Sequence, residues 1–157
     1  MRNAFGKKWV DEEKAVTYIS DKLKAAKEIS GIQTIVDATP INSGRDVRIL
    51  KQASILSGVN ILAATGLFAF ENFPIVGKSA ECFVDLLVGE IVDGIENTGI
   101  KPAVLKCATG PQGFTEVNRK LLLIASEVCK RTGIPITTHT ESIDMAVEQQ
   151  NIFEQNG

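Results

Sequence analysis

The sequence predicts an α/β protein in which helices cover a parallel β-sheet. Short apolar runs of strand length alternate with longer segments whose apolar residues recur at helical spacing. The chain contains no short repeat, and no linker rich in proline or glycine divides it. Because strands of a parallel sheet are buried on both faces, this alternation is typical of parallel strands joined by helical crossovers.

Composition is that of a globular protein with one domain. The chain has 157 residues, of which 44% are hydrophobic and 23% charged, and its net charge is −2. This length suffices for one domain with a substantial core, so we expect residues 1–157 to form a single domain. The acidic balance argues against a nucleic-acid partner. No apolar stretch approaches the ~20 residues needed to cross a bilayer, so no membrane partner is expected.

The cysteines and the first residues indicate a cytoplasmic protein. Cys82, Cys107 and Cys129 are odd in number, widely spaced and without a Cys-x-x-Cys pair. Free thiols in a reducing compartment are the simplest interpretation of this pattern. The segment up to Asp11 is polar and basic and has no hydrophobic region, unlike a signal peptide.

The elements read as one helix followed by four strand–helix units. The first helix, 11–30, begins at a capping Asp11 and ends at Gly31. Strands are predicted at 33–39, 60–65, 103–108 and 134–140, and further helices at about 44–57, 79–95, 115–132 and 144–155.

Two sheet closures fit this pattern: an open doubly wound sheet, and part of an eight-stranded (β/α)8 or TIM barrel. The first strand is not followed by the GxGxxG fingerprint of dinucleotide-binding folds. Polar residues end the strands instead, among them Asp37, Thr39, Thr65, Lys106 and His139. Barrel enzymes draw their active sites from several strand ends, so the sequence favours a partial TIM barrel of about four βα units.

Lys106 and His139, the only histidine, end consecutive strands and would both point into the mouth of such a barrel. Partial burial lowers the pKa of a lysine and makes its neutral amine accessible, and imidazole suits zinc and related metals. The plainer alternatives are a solvated lysine and a histidine whose polar groups are satisfied at a strand end. Strand parity turns Cys107 away from the site, which predicts a buried apolar residue rather than a nucleophile.

An ordered set of short motifs makes the chain resemble a known family. The motifs are Thr34–Asp37, Gly44–Val47, Ala63–Gly66, Gly94–Ile100, Lys106–Thr109 and Thr137–Thr140. In this order and spacing they resemble the phosphotriesterase family, the amidohydrolase-like barrels that include phosphotriesterases and phosphotriesterase-like lactonases. The resemblance extends over nearly the whole chain from residue 11, and it implies that the strands seen here are the second to fifth of a TIM barrel.

This resemblance implies a zinc-dependent hydrolase of small esters, lactones or organophosphates. In the family, two divalent metals at the barrel mouth are bridged by a lysine that CO2 has carbamylated, and Lys106 matches that position. His139 matches a histidine that binds one metal. Phe68 matches an aromatic wall of the substrate pocket, and Phe70 and Phe73 either extend this wall or pack the loop.

The chain departs from the family pattern in its ligand set. The family's first strand supplies a His-x-His pair that this sequence lacks, and later histidine and aspartate ligands would lie beyond Gly157. We therefore expect a barrel fragment without strand one and strands six to eight, with weak metal binding and incomplete activity. The alternatives are a non-catalytic subunit that pairs with another chain, or with its own copies as a homo-oligomer through exposed sheet edges, and a Schiff-base aldolase that uses Lys106.

Overall fold

The computed structural model describes residues 10–69 and 76–157. Its helices are α1 (Glu12–Ser30), α2 (Val47–Ser57), α3 (Ala80–Asp93), α4 (Glu116–Thr132) and α5 (Ile143–Gln155), and its strands are β1 (Thr34–Asp37), β2 (Asn60–Gly66), β3 (Val104–Ala108) and β4 (Ile136–His139). This order agrees with the predicted helix and four strand–helix units. None of the described helices has the length and apolarity needed to cross a membrane.

Each helix begins where a short polar side chain satisfies a free backbone N–H. The caps are Asp11, Asp46, Ser79, Thr115 and Ser142. The sequence predicts α2 from residue 44, but the helix begins at Val47 because the carboxylate of Asp46 accepts from the amides of Arg48 and Ile49. The residues before this cap form a short 3₁₀ turn, Ile41–Ser43.

All strand pairings are parallel, and the strand order β1-β2-β3-β4 follows the chain. β1 pairs with the first half of β2, from Thr34 opposite Asn60 to Asp37 opposite Ala63. β3 pairs with the end of β2 on one side and with β4 on the other. A doubly wound sheet reverses its strand order at a switch point. Four parallel strands in unbroken order instead match consecutive units of a TIM barrel, which confirms the predicted fold class.

Contacts along the chain define two compact units, one with residues up to 37 together with 46–63, and one with residues 38–45 and 64–157. In the first unit α1 lies against α2, with Val16, Leu23, Val47 and Ala53 buried. The single domain expected from the length stays a prediction.

The second unit has a core in which α3 and α4 cover one face of β3. Leu105 and Cys107 of β3 are buried there with Leu87, Leu121 and Val128 from the helices. Full burial of each such leucine or valine contributes about 1.5–3 kcal/mol relative to exposure. Side chains alternate along a strand, so the residues of β3 between and beside Leu105 and Cys107 point to the opposite face of the sheet. Lys106 is one of them.

Candidate active site

Lys106 and His139 lie on the same face of the sheet. The register of β3 with β4 places Lys106 opposite Thr137 and Ala108 opposite His139. Residues paired in register point to the same side, and side chains alternate along each strand. The amine and the imidazole thus share the face that α3 and α4 leave free, at the carboxyl ends of adjacent parallel strands.

The half-buried position of Lys106 lowers the pKa of its amine. Desolvation lowers the pKa of its amine below the ordinary value, and a smaller interaction with Cys107 acts in the opposite direction. A lowered pKa increases the fraction of neutral amine near neutral pH, because burial disfavours the charged form. The neutral amine is the form that can attack an electrophile such as CO2.

His139 is accessible and has a carboxylate partner. Its side chain is 41% exposed, and its Nε2 lies 3.0 Å from Oε1 of Glu141, two residues further along. When a neutral imidazole donates Nε2–H to such a carboxylate, the lone pair of Nδ1 stays available to a ligand. Sequence reasoning did not single out Glu141.

Phe68 lies beside the histidine, on the segment that follows β2. The centroids of the Phe68 and His139 rings are 5.5 Å apart, with 38° between the ring planes. The side-chain amide of Asn42 holds the main chain of Phe68 by donating to its carbonyl at 2.9 Å and accepting from its N–H at 2.7 Å. This clamp fixes an aromatic surface next to the imidazole. Phe70 and Phe73 lie outside the described residues.

Cys107 is unsuited to nucleophilic chemistry. It is 2% exposed, and burial raises the pKa of its thiol to about 11. The reactive thiolate is therefore scarce at neutral pH. This agrees with its interpretation as a buried, apolar-like residue.

Thr65 does not point into the face that carries Lys106, contrary to the expectation that polar residues at strand ends line the mouth. It pairs in register with Leu105, which faces the helices. Its hydroxyl donates to Oε2 of Glu90 at 2.6 Å. The same carboxylate accepts two bonds from the guanidinium of Arg45, at 2.8 and 2.6 Å.

This buried ion pair was missed by sequence reasoning, although a signal was present. Glu90 lies three residues after Leu87 on the apolar stripe of α3, so helical spacing turns its carboxylate inward. A buried carboxylate requires a partner, and no sequence feature says that this partner is Arg45. The pair stabilises the end of β2, where Arg45 also donates to the main-chain oxygen of Ala64 at 3.2 Å.

Lys106 and His139 fit part of a metal centre. An imidazole suits zinc, and a carbamate formed on the neutral lysine would add an anionic oxygen donor. Within residues 10–69 and 76–157, however, no group of three or more His, Cys, Asp and Glu side chains is placed to hold a metal ion. The described residues thus offer two candidate donors and not the ligand set of a complete binuclear centre.

Comparisons with known proteins agree with this fold and residue pattern. The family model of the phosphotriesterase family matches residues 2–157. A protein of Mycobacterium tuberculosis named phosphotriesterase homology protein is 36% identical over 159 residues, a match that covers 95% of this chain and 48% of the relative. An aryldialkylphosphatase of Saccharolobus solfataricus is 32% identical over 130 residues, covering 81% of this chain and 41% of the relative.

A more distant relative is the N-acetyltaurine hydrolase of Bos taurus, which is 28% identical over 151 residues, covering 88% of this chain and 42% of the relative. The chain spans about half the length of the curated relatives it matches. The family match nevertheless extends over nearly all of the chain, through both strands that carry the candidate donors. The chain belongs to the phosphotriesterase family.

Proposed function

We propose that this chain contributes part of the active site of a metal-dependent hydrolase that acts on ester bonds. The family supports hydrolase chemistry at a coarse level, and one relative is named aryldialkylphosphatase. The observation that carries the proposal is the register of β3 with β4, which puts Lys106 and His139 on one free face at adjacent strand ends. Barrel enzymes assemble their active sites from such strand ends.

Lys106 is proposed to become a carbamate ligand. Its neutral nitrogen forms a bond to the carbon of CO2 and loses a proton to water, which leaves an anionic carboxylate able to bridge two cations. Desolvation favours this step because it lowers the pKa of the amine. Bound divalent metals would supply an activated water and a polarised phosphoryl or carbonyl oxygen.

His139 is proposed as the ligand of one of the two metals, zinc being the first candidate. Glu141 would orient its ring through Nε2, since carboxylate partners commonly fix metal-binding imidazoles. Phe68, clamped by Asn42 beside the imidazole, would form an apolar wall for the substrate. Such walls suit small apolar esters, lactones and organophosphates.

The first test is metal binding at the two donors. Zinc is titrated into the protein in bicarbonate buffer while the signals of the single histidine are followed by NMR. We expect a zinc-dependent shift of the imidazole signals that Lys106→Ala weakens and His139→Ala removes. Lys101→Ala is the matched control, because Lys101 is an exposed lysine near β3. An imidazole that zinc does not affect would contradict the proposal.

The second test is hydrolysis of three probes: an aryl dialkyl phosphate, a lactone and an N-acyl amide. The amide is included because one relative is named N-acetyltaurine hydrolase. Activity on the phosphate or the lactone that is lost in Lys106→Ala and His139→Ala but kept in Lys101→Ala supports ester hydrolysis. Faster hydrolysis of the amide than of the two esters would indicate an amide hydrolase instead. Equal rates in all variants would show that neither Lys106 nor His139 takes part in hydrolysis.

A second candidate, a subunit that pairs with another copy of the chain, is favoured by exposed apolar side chains on β1 and β2. Val36 and Leu62 are paired in register, hence on one face, and are 51% and 40% exposed. Apolar residues on a sheet face are ordinarily covered. Sedimentation equilibrium tests this: a dimer is expected, and a stable monomer at micromolar concentration would count against pairing. The Schiff-base aldolase alternative is tested by adding borohydride with a ketone substrate. It predicts a stable ketone adduct on Lys106.

A further inference from the structure

A buried glutamine ties together the ends of the two strands that carry the candidate donors. Gln149 of α5 is 1% exposed. Its Nε2 donates to Oγ1 of Thr109 at 2.6 Å and to the main-chain oxygen of His139 at 3.0 Å. Its Oε1 accepts from the hydroxyl of Thr138 at 3.0 Å. One side-chain amide thus contacts the residue after β3 and the last two residues of β4.

The same two strand ends are also joined by the main chain. The N–H of Thr109 donates to the oxygen of His139 at 3.0 Å, so this carbonyl accepts from Thr109 and from Gln149 together. Beyond this bond the chain leaves β4 for the N-terminus of α5. Because Gln149 bonds to both sides of the junction, a change in the separation of the two ends would break at least one of its bonds.

We propose that Gln149 is a positioning residue of the candidate active site. By holding the ends of β3 and β4 at a set separation, its amide determines where the imidazole of His139 stands relative to the amine of Lys106. This inference rests on the proposed function for the roles of those two residues. A metal site requires its ligands within about half an ångström of the working geometry, so supports of this kind affect ligand binding.

A simpler role for Gln149 would be to anchor α5 on the sheet. In that case its loss would lower stability throughout the unit and leave the local geometry at His139 unchanged. A positioning role instead predicts a local loosening at the junction of Thr109 and His139. Native-state hydrogen exchange separates the two, because it reports opening amide by amide.

The experiment compares Gln149→Met with Gln150→Met in the whole chain. Methionine keeps the length and helix propensity of glutamine and removes its hydrogen bonds. Gln150 is the matched control, because it neighbours Gln149 on α5 but is exposed, and its side-chain amide donates to Glu154 on the helix surface. Exchange is read at the amide of Thr109, and at the amide of Leu105, which donates to Pro135 at the start of the same strand pair.

In Gln149→Met we expect the amide of Thr109 to exchange about tenfold faster or more relative to Leu105, because the substitution removes all three side-chain hydrogen bonds at the junction. In Gln150→Met the ratio of the two rates stays as in the wild type. The zinc concentration at the midpoint of the imidazole shift of His139 should rise severalfold in Gln149→Met and stay unchanged in Gln150→Met. Thr109→Val is a milder second variant that removes a single acceptor, and it should change the exchange ratio in the same direction.

An unchanged exchange ratio in Gln149→Met and Thr109→Val would overturn the proposal. So would an equal acceleration at Thr109 and Leu105, since that outcome means a purely structural anchor. If Gln149→Met does not fold, the ratio in Thr109→Val alone decides. If zinc does not shift the imidazole signals of the wild-type protein, the proposed function is contradicted. The exchange ratio would still report whether Gln149 holds the two strand ends at a set separation.

Discussion

Replacing Glu90 with leucine should reveal how strongly the buried ion pair stabilises the end of β2. The guanidinium of Arg45 donates to both carboxylate oxygens at 2.8 and 2.6 Å, and the two side chains are only 2% and 9% exposed. Leucine leaves the guanidinium buried with two remaining contacts, its bond to the oxygen of Ala64 and a longer ion pair of 3.9 Å with Glu96. It also removes the acceptor of the Thr65 hydroxyl.

The expected loss in free energy of unfolding is about 3–5 kcal/mol, the usual cost of removing one partner from a buried pair. The double variant Arg45→Met/Glu90→Leu should lose less than Glu90→Leu alone, because no uncompensated charge then remains in the core. The residual loss, about 1–3 kcal/mol, comes from the unsatisfied Thr65 hydroxyl. The two changes are thus expected to be strongly non-additive.

Urea unfolding followed by circular dichroism measures these differences. The control is Glu81→Leu, which breaks an exposed pair with Arg131 of 3.0 Å and should change stability by no more than about 1 kcal/mol. Arg45→Met is measured alone as well, and a double variant whose loss equals the sum of the losses in Glu90→Leu and Arg45→Met would refute the reasoning. A loss for Glu90→Leu as small as that for Glu81→Leu would refute it as well.

Three further predictions concern the neighbourhood of Lys106. Gly66→Ala should destabilise the protein more than Gly44→Ala in urea unfolding, because both glycines have positive φ (114° and 91°) but only at Gly66 would a Cβ lie 1.9 Å from the main-chain oxygen of Lys106; equal losses would contradict this. Between pH 9 and 11 the free energy of unfolding should fall by about 2 kcal/mol more than in Cys107→Ala. Burial raises the pKa of this thiol from 9.0 to about 11, so its stabilisation is complete below pH 9 and disappears as the pH rises; parallel pH profiles of the two proteins would reject the effect. In ¹³C-bicarbonate the lowered pKa of Lys106 predicts a carbamate carbon signal by NMR that is absent from Lys106→Ala, and identical spectra would exclude the carbamate.

Much of the fold follows from short-range signals in the sequence. Helix caps such as Asp11 and Ser79 act within three residues, and helical or strand periodicity is visible in a single segment. These signals predict every strand and α-helix that has a stated range, with differences at the ends. The largest difference lies at the start of α2. Asp46 caps the helix there, so the helix begins at Val47 and not at residue 44.

The candidate site was predicted in part. Lys106 and His139 follow from their positions at the ends of apolar strands, and parity turned Cys107 to the opposite face. The contacts that surround them were not predicted. Gln149 lies in α5, ten residues after His139, and nothing in the sequence of that helix indicates which strand end its amide contacts.

The sequence by itself determined the alternation of elements, the parallel α/β class and the family resemblance, and it singled out Lys106 and His139 as candidate donors, because each of these depends on local pattern or on motif order. Only the tertiary structure decided that Thr65 turns to the helices and that Arg45 meets Glu90. The reason is physical. Strand register and buried polar pairs both join residues that are distant along the chain. A buried polar group needs a partner, and only the packing of the folded chain determines which distant residue becomes that partner.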